Sequence, residues 1–560
     1  MNLKFVCLFA CGALISSPGS LQAEESCDVS TPLEGQRLLR RLSLDLRGTT
    51  PSGAEIDAQR GVAAVDEVLV DEMLASDGLR QTLLRYHQNL LWPNIDQIEI
   101  PGEAYMLYPY ELAPDLVVYY SALRGVFTRA VGEGNIFVPC KAEPAEFDAD
   151  GNLIMTPVEV GGEVVAYQEG YVEVEPYWAP GTRIKVCGLD AQPALSAPVC
   201  PGPAERYPFL EGTCQGVDTF ATQYTAAPFR NSQVDCGGRF ASFAPGCGCG
   251  PNLAYCATDE TRAEIKEAIL GQMLRITDKV VREGRPYYEV LTTKEVEFNG
   301  PLAHYLRWMS KLNLDLLTEP DASATPPDIR FDEKSWRVVQ RGGRHAGILT
   351  TPGYLLRFST NRSRAHRFYN AFECSSFIPN GPLPSPFEPC SQRQDLTQRC
   401  GCNSCHQALE PMAAHWGRFA EYGFMHLPND RFPTRFDGSC NPPIANVERL
   451  FECIRFYELD PSTEEEPFAG ALNAYVFRKP EEAPLIEDGP THLVAESLTE
   501  GRFSRCTVRK FWIQLMRREP TVAEETDVLP GLVDGFEAAN YNLKELIKAI
   551  VTLPAYRREP

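Results

Sequence analysis

The chain is poor in the features that several large classes of protein require. Only eight of its 560 residues are histidine. It has no G-x-x-x-x-G-K-[ST] loop, no G-x-G-x-x-G turn and no H-E-x-x-H pair, so these motifs give no support for nucleotide binding or zinc-protease chemistry. Past its first residues it also has no apolar run long enough to cross a bilayer, and we therefore predict no transmembrane segment.

Basic residues are also in deficit. The 53 lysines and arginines face 75 aspartates and glutamates, which gives a formal net charge of −22. An acidic surface repels the phosphates of nucleic acid, so we expect no nucleic-acid partner. The same charge attracts a partner protein with a basic face. The simpler interpretation is that the acidity only keeps the protein in solution. The sequence says nothing of the oligomeric state.

The first residues resemble a targeting segment. Lys4 supplies a positive charge, residues 5–15 are mostly apolar, and small or polar residues follow as far as Ala23. This order is typical of a secretory signal peptide over residues 1–23. It predicts a periplasmic or cell-envelope location. Cys11 leaves a lipid anchor open as an alternative.

Cysteine is abundant, which agrees with export. Of 19 cysteines, Cys7 and Cys11 fall in the targeting segment. So many cysteines are typical of an oxidising compartment, where most of them form disulfides. Removing Cys402 and Cys405, for the reason given below, leaves 15. This odd number indicates a free thiol, a disulfide to another chain, or that Cys402 and Cys405 are not both set aside for another use.

The apolar pattern changes twice along the chain. Leucines at positions 38, 39, 42 and 46 predict a helix over 36–46, and Thr50 with Pro51 predicts the start of another. From residue 101, segments rich in valine and tyrosine are cut by glycine and proline, which predicts short strands with a hairpin turn at Gly161-Gly162. Helical signals return with a capping box at Thr261 and Glu264, and again at Thr521 and at Asn542.

These signals, together with the C-x-x-C-H pattern of Cys402 to His406 by which haem is attached in c-type cytochromes, predict a mainly α fold. In it a multi-helix, cytochrome c-like haem domain and helical flanking domains carry a disulfide-rich, β-containing insertion. The boundaries that we draw are a signal peptide 1–23, an N-terminal helical domain 24–100, a cysteine-rich β and loop insertion 101–257, a helical segment 258–320, a haem domain 330–430, an acidic irregular insertion 431–497 and a C-terminal helical domain 498–560.

One motif carries chemistry. Cys402-Asn403-Ser404-Cys405-His406 is C-x-x-C-H, the pattern by which haem is attached in c-type cytochromes. One helical turn puts both thiols on the same side, where each can form a thioether, and the imidazole follows as an iron ligand. Two alternatives remain open. The two cysteines can be ordinary disulfide cysteines, or they can bind zinc together with Cys400 and His415. A redox C-x-x-C would need a thioredoxin-like context, which the sequence lacks.

Several stretches, in order, resemble one known family. They are Arg40-Arg41-Leu42-Ser43-Leu44-Asp45-Leu46-Arg47-Gly48-Thr49-Thr50-Pro51, the segment Arg285-Pro286-Tyr287-Tyr288-Glu289-Val290-Leu291-Thr292 with Asn299-Gly300-Pro301-Leu302-Ala303, the segment Arg344-His345-Ala346-Gly347-Ile348-Leu349-Thr350, and the motif block from Cys402 to Phe424 with its Glu410-Pro411 pair. The helices from Phe503 to Arg557 also look similar. Together they resemble the planctomycete-type cytochrome c proteins, which are large exported bacterial proteins of largely uncharacterised function.

The resemblance covers about half of the chain and leaves out the two insertions. It implies one covalent haem c per chain, held by Cys402, Cys405 and His406. We therefore expect an electron-transfer protein. A haem-dependent oxidoreductase of the peroxidase type and a binding or structural protein of the cell envelope are the alternatives, so whether the protein is an enzyme stays open.

The far side of the haem iron decides between electron transfer and catalysis. Met425 follows His406 by 19 residues, and its thioether is our candidate for the sixth ligand. The alternative is that Met425 only fills the core. Other candidates are His345, His366, His415 and His426, or the position is open. Four arginines, Arg344, Arg362, Arg364 and Arg367, either neutralise the haem propionates or form a solvated basic face.

Overall fold

A computed structural model describes most of the chain. The described residues are 32–92, 98, 100, 106–121, 130–131, 137–149, 153–154, 156–191, 248–310, 326–343, 345–377, 384–436 and 453–558. The predictions of a signal peptide over 1–23 and of a lipid anchor at Cys11 lie outside these residues.

The N-terminal region is helical, as predicted. Its helices are α1 Gly35–Arg47, α2 Gly53–Ala58, α3 Glu67–Ala75 and α4 Asp77–Leu91. The four leucines at 38, 39, 42 and 46 are all buried in α1, which ends at Gly48 in the left-handed conformation. The start of the second helix, predicted at Thr50, lies two residues further along the chain. Ser52, rather than Thr50, caps α2, because its hydroxyl and the Glu55 carboxylate form a capping box.

The following region contains short strands, as the alternation of valine and tyrosine predicted. They are β1 Leu107–Ala113, β2 Leu116–Ser121, β3 Ala130–Val131, β4 Phe137–Val138, β5 Thr156–Val160, β6 Glu163–Gln168, β7 Tyr171–Val174 and β8 Ile184–Cys187. One sheet has the order β1-β2-β8-β7, parallel only between β2 and β8. Gly161 and Gly162 join β5 to β6 with positive φ angles, which confirms the predicted hairpin.

The rest of the described chain is mostly helical. Its regular elements are α5 Asp259–Arg282, α6 Glu289–Thr292, β9 Glu295–Phe298, α7 Gly300–His304, β10 Arg337–Gln340, α8 Pro352–Arg357, α9 Asn361–Phe372, α10 Asn403–Ala414, α11 Ala483–Thr499, α12 Arg502–Met516, α13 Val522–Asp527, α14 Leu529–Ala538 and α15 Leu543–Thr552. Thr521 caps α13 and Asn542 caps α15, as predicted. The capping box of α5 lies three residues earlier than expected, because Thr258 is the cap and Thr261 its partner.

The helices share one hydrophobic core. It begins at Leu33, includes the apolar face of α5 with Ile269 and Met273, continues through Trp416, and ends at Tyr556. The mainly α prediction is therefore correct at this level. The domain boundaries stay a prediction, but helices from five of the predicted segments contribute to this single core. None of the described helices is both long and apolar enough to cross a membrane.

Disulfides join cysteines that lie between 7 and 132 residues apart in the sequence. The described pairs are Cys140–Cys187, Cys249–Cys256, Cys374–Cys506 and Cys390–Cys400, and Cys453 is also disulfide-bonded. The expectation that most cysteines form disulfides is confirmed for the described part of the chain. This usage is typical of proteins that fold in an oxidising compartment.

We expect the fold to lose stability as the pH falls from about 6.5 to about 4. In α4, His87 is buried between the Leu83 carbonyl at 2.7 Å and the Tyr287 hydroxyl at 2.9 Å. Burial lowers its pKa from 6.5 to about 4. In this pH range His87 is protonated in the unfolded chain but neutral in the folded chain. The free energy of unfolding therefore falls by on the order of 3 kcal/mol.

Urea unfolding of the parent and of His87→Phe at pH 7 and at pH 4.5 checks this. The variant should be less stable at pH 7 but should lose less stability on acidification. His304 and His415 add to the slope of both proteins, since burial lowers their pKa to about 3 and about 4. His492→Gln, on a half-exposed site, is the control. An equal loss in the parent and in His87→Phe would rule out this account.

Candidate functional site

The C-x-x-C-H motif forms the first turn of α10. Cys402 lies at the N-cap position, and the His406 amide donates to its carbonyl at 3.0 Å, so Cys405 and His406 already have helical backbone. Both thiols are half-buried and neither is in a disulfide, whereas the other described cysteines are all bonded. The alternative in which the pair forms an ordinary disulfide is therefore not what the fold has.

The loop before α10 explains why these two thiols stay free. Cys390 and Cys400 are bonded to each other, and Cys400 also donates its amide to the Cys390 carbonyl at 3.1 Å. Gly401 follows with φ at 77°, a conformation that glycine adopts without strain. The chain then turns into the helix, where the Arg399 carbonyl accepts from the Cys402 amide at 3.1 Å. The disulfide thus closes immediately before the motif and excludes Cys400 from any zinc site.

The zinc alternative fails on His415 as well. Its Nδ1 lies 3.0 Å from the Gly489 carbonyl, and the ring is buried. Among the residues that the structure describes, no three histidine, cysteine, aspartate or glutamate side chains come close enough to hold a metal ion. With Cys400 bonded to Cys390, the four ligands proposed for zinc are not brought together.

His406 is held by a carboxylate one turn further along α10. Its Nδ1 lies 2.6 Å from Oε1 of Glu410, which is 6% exposed. A carboxylate only accepts hydrogen bonds, so Nδ1 carries the proton and donates it. The other ring nitrogen, Nε2, has no hydrogen bond to any described residue, and the side chain keeps 20% of its surface exposed. The imidazole is therefore oriented by one nitrogen and available at the other.

Two arginines hold Glu410 in turn. Arg362, from the first turn of α9, donates Nε to Oε1 at 2.5 Å, and Arg478 approaches Oε2 with Nη2 at 3.4 Å. Arg478 also donates Nη1 to the Glu410 carbonyl at 2.8 Å. Burial opposes ionisation of this carboxyl, but Arg362, His406 and Arg478 outweigh it and hold the pKa of Glu410 below its usual range. The site therefore contains a buried anion between three donors.

Two cavities open on either side of this network. One has a volume of about 390 Å³ and the other about 440 Å³, both within the range of ligand-binding clefts. Arg362, Glu410, Asn473 and Arg478 line both of them. The smaller cavity is polar, with Asp395, Thr397, Glu458 and Glu465 in its wall, and the larger extends along Phe419, Tyr422 and Phe456.

Met425 lies behind the wall of the larger cavity, because Leu427 and Phe456 of its cluster line that cavity. It is 2% exposed and belongs to a small hydrophobic cluster with Leu427, Phe432 and Phe456. Its carbonyl accepts from the Ala420 amide at 2.9 Å. It does not line either cavity. This placement is what the core interpretation expects, and the role of Met425 as an iron ligand stays a prediction.

The four predicted arginines have separate roles. Arg344 lies outside the described residues. Arg362 reaches the motif through Glu410. Arg364 is fully buried and donates from all three nitrogens to protein oxygens, so it is not free to neutralise propionates. Arg367 stacks on the ring of Trp92, with 4.1 Å from its guanidinium carbon to the ring centroid.

Two features of the site were missed from the sequence. Arg478 and Asn473 come from the segment that we expected to be an irregular acidic insertion, and nothing in their local sequence indicates contact with α10. The link between His406 and Glu410 did carry a signal. Residues four apart on a helix are neighbours, so the spacing of these two side chains already places them in contact.

The remaining histidine candidates are buried or packed elsewhere. His345 lies 3.4 Å from the Thr350 hydroxyl, His366 packs against Phe377, and His426 packs against Phe419.

Comparison of the chain with models of known protein families, with curated protein sequences and with solved structures finds no match. The family resemblance therefore still rests on the motifs alone.

Proposed function

We propose that this protein is an exported c-type cytochrome that carries one covalent haem and transfers electrons. One observation carries the proposal. The two free thiols of the described chain lie one helical turn apart, next to a histidine whose Nδ1 is fixed by Glu410. The neighbouring Cys390 and Cys400 are bonded to each other, so both thiols of the motif are available to form thioethers. The resemblance to planctomycete-type cytochrome c proteins points the same way.

In this proposal Cys402 and Cys405 form the thioethers, and Nε2 of His406 binds the iron. The haem iron would pass one electron at a time between its ferrous and ferric states. Glu410 fixes the imidazole tautomer and makes the ring a stronger donor. Arg362 and Arg478 balance the charge of Glu410. The two adjoining cavities leave room for a ligand beside this network.

The proposed setting is the periplasm or cell envelope. It rests on the disulfides of the described chain and on the targeting pattern of residues 1–23. The partner would be another redox protein with a basic face, because a net charge of −22 attracts one and accelerates the encounter at low salt. Association that weakens as salt rises would support this choice of partner.

A haem-dependent oxidoreductase is the second candidate, and the position of Met425 favours it. This side chain is 2% exposed and is packed in a hydrophobic cluster with Leu427, Phe432 and Phe456. If no residue reaches the iron opposite His406, a small molecule such as peroxide can bind there. A five-coordinate spectrum that changes on adding peroxide would support the oxidoreductase. A six-coordinate, low-spin spectrum that Met425→Ala alters would support electron transfer with Met425 as ligand.

We expect the exported chain to carry about one covalent haem when it is produced with a cytochrome c maturation system. A pyridine haemochrome spectrum on denatured protein measures this, because only covalently attached haem stays with the chain. Cys402→Ala with Cys405→Ala should abolish the signal, since no thioether can then form.

The matched control is Cys390→Ala with Cys400→Ala. This pair removes two cysteines just before the motif but leaves both proposed thioether positions in place. It should keep covalent haem. A parent chain without covalent haem, or a double alanine variant at 402 and 405 that keeps it, would contradict the proposal.

A further inference from the structure

Two arginines contact Trp92 at the end of α4, and a lysine lies on α12, which packs against α9. Arg357 ends α8, Arg367 lies in α9, and Lys510 lies in α12. The guanidinium carbons of Arg357 and Arg367 lie 5.7 and 4.1 Å from the centroid of the Trp92 ring, so both cations contact one aromatic surface. The charge of Arg367 also acts on the ammonium of Lys510.

These cations have no anionic partner in the part of the chain that the structure describes. The Nε atoms of Arg357 and Arg367 are buried without a hydrogen-bond partner, and Arg367 is only 7% exposed. Nη2 of Arg367 reaches the Asn89 carbonyl at 3.4 Å, which is a long contact. The carboxylate of Glu519, whose charge acts on Lys510, pairs with Arg509 at 2.8 Å.

Such an arrangement is costly unless something else satisfies it. A buried charge that lacks a partner loses its hydration and gains little in return. Burial accordingly lowers the pKa of Arg357, of Arg367 and of Lys510. The chain has 75 acidic residues, yet none of the described ones is paired with this cluster. Three like charges are held together instead.

The cluster is separate from the network at His406. Arg362 and Arg367 lie five positions apart on α9, which places them about 140° apart around the helix axis. Arg362 faces Glu410, whereas Arg367 faces α4 and Trp92. This cluster therefore does not serve the proposed haem site.

Trp92 is held at the opening of the cluster by an uncommon backbone conformation. Its φ of 56° is left-handed, which is uncommon for a bulky residue, and its amide donates to the Gln88 carbonyl at 2.9 Å to end α4. The ring keeps 41% of its surface exposed. Arg357, which contacts the same ring, is half-buried, so solvent reaches the cluster on the side of Trp92 and Arg357.

We propose that Arg357, Arg367 and Lys510 form a binding site for a small oxyanion, a phosphate or a carboxylate, that enters beside Trp92. Guanidinium groups present paired N–H donors that match the oxygens of both anions, and Lys510 adds a compact positive charge. The stack on Trp92 holds the Arg367 guanidinium in place before the anion arrives. This inference does not depend on the haem and goes beyond the proposed function.

The test is a thermal unfolding series on the full exported chain, titrated with inorganic phosphate or with succinate at an ionic strength kept constant with sodium chloride. The parent should unfold at a higher temperature as either anion rises. Arg367→Gln and Lys510→Gln should each weaken the response by at least about tenfold. Arg40→Gln, an exposed arginine of α1, is the matched control and should respond as the parent does.

Stability without added anion gives a second readout. Because the cluster is then unpaired, Arg367→Met should unfold no earlier than the parent, but it should gain nothing from phosphate. If Arg367→Met does not fold, Lys510→Gln carries the test. A response to phosphate alone, to succinate alone or to both supports the site and identifies the anion. No response to either, or an equal response in the variants, overturns it.

Discussion

Replacing Arg364 by methionine is expected to lower the free energy of unfolding by roughly 3–5 kcal/mol, a large fraction of the stability of a typical domain. Arg364 is fully buried in α9, and its guanidinium is bonded on every nitrogen. Its acceptors are the carbonyls of Leu355, Phe358, Phe419, Ala420 and Gly423 and the side chain of Asn361.

The cost arises from the carbonyls rather than from the charge. Methionine matches the length of the arginine stem but offers no donor, so five buried carbonyls lose a partner at once. Three of them belong to residues 419–423, the loop that leads from the end of α10 to Met425. This loop should therefore loosen before the rest of the fold, and the cluster around Met425 with it.

Urea unfolding measures the change, and hydrogen exchange of the amides of residues 419–427 locates it. Arg364→Lys should fall between the parent and the methionine variant, because an ammonium can satisfy only part of the acceptor set. Arg40→Met, on an exposed site of α1, should change stability by less than about 0.5 kcal/mol. A methionine variant at 364 as stable as the Arg40 control would show that these carbonyls do not need the guanidinium.

Replacing Glu410 by glutamine is expected to have the second-largest effect, because it removes the anion at the centre of the network. The amide keeps the shape and one acceptor for Nδ1 of His406, but Arg478, with 12% of its side chain exposed, loses its only described ion pair. An unpaired buried arginine should cost about 2–3 kcal/mol. The pKa of Glu410 lies below its usual range, so the carboxylate is fully ionised at neutral pH.

The same substitution should alter the proposed haem. A neutral amide makes the His406 imidazole a weaker electron donor to the iron. The ferric state depends more on this donation than the ferrous state, so the substitution destabilises ferric relative to ferrous iron. A tenfold change in relative stabilisation corresponds to about 59 mV for one electron. We therefore expect a reduction potential higher by on the order of 60 mV, measured by spectroscopic redox titration.

Glu464→Gln provides the control. Glu464 pairs with Arg393 on the surface of the same region, so its loss should leave both the potential and the unfolding midpoint unchanged. Glu410→Asp keeps the negative charge on a shorter side chain. It should therefore be more stable than Glu410→Gln, but it should not restore the hydrogen bond to Nδ1 of His406. A potential that does not differ between Glu410→Gln and the parent would mean that Glu410 only supports the helix.

The sequence alone determined the elements that depend on neighbouring residues. The leucines of α1, the Gly161-Gly162 hairpin and the caps at Thr521 and Asn542 were predicted because periodicity, positive φ and side-chain capping act over a few positions. Where two residues near a helix start can both act as the N-cap, the predicted start is wrong by two or three residues. Ser52 and Thr258 are the N-caps, rather than Thr50 and Thr261, and each forms a capping box with a second side chain.

The tertiary structure decided which chemistry each residue is free to perform. The motif named Cys402, Cys405 and His406, but only the pairing of Cys390 with Cys400 leaves the two thiols unbonded. Adjacent arginines on α9 looked alike in sequence, yet Arg362 binds Glu410 and Arg364 is buried among carbonyls. Arg478 reaches the site from 68 residues beyond Glu410. Such contacts depend on how distant segments pack together, and no local pattern encodes that packing.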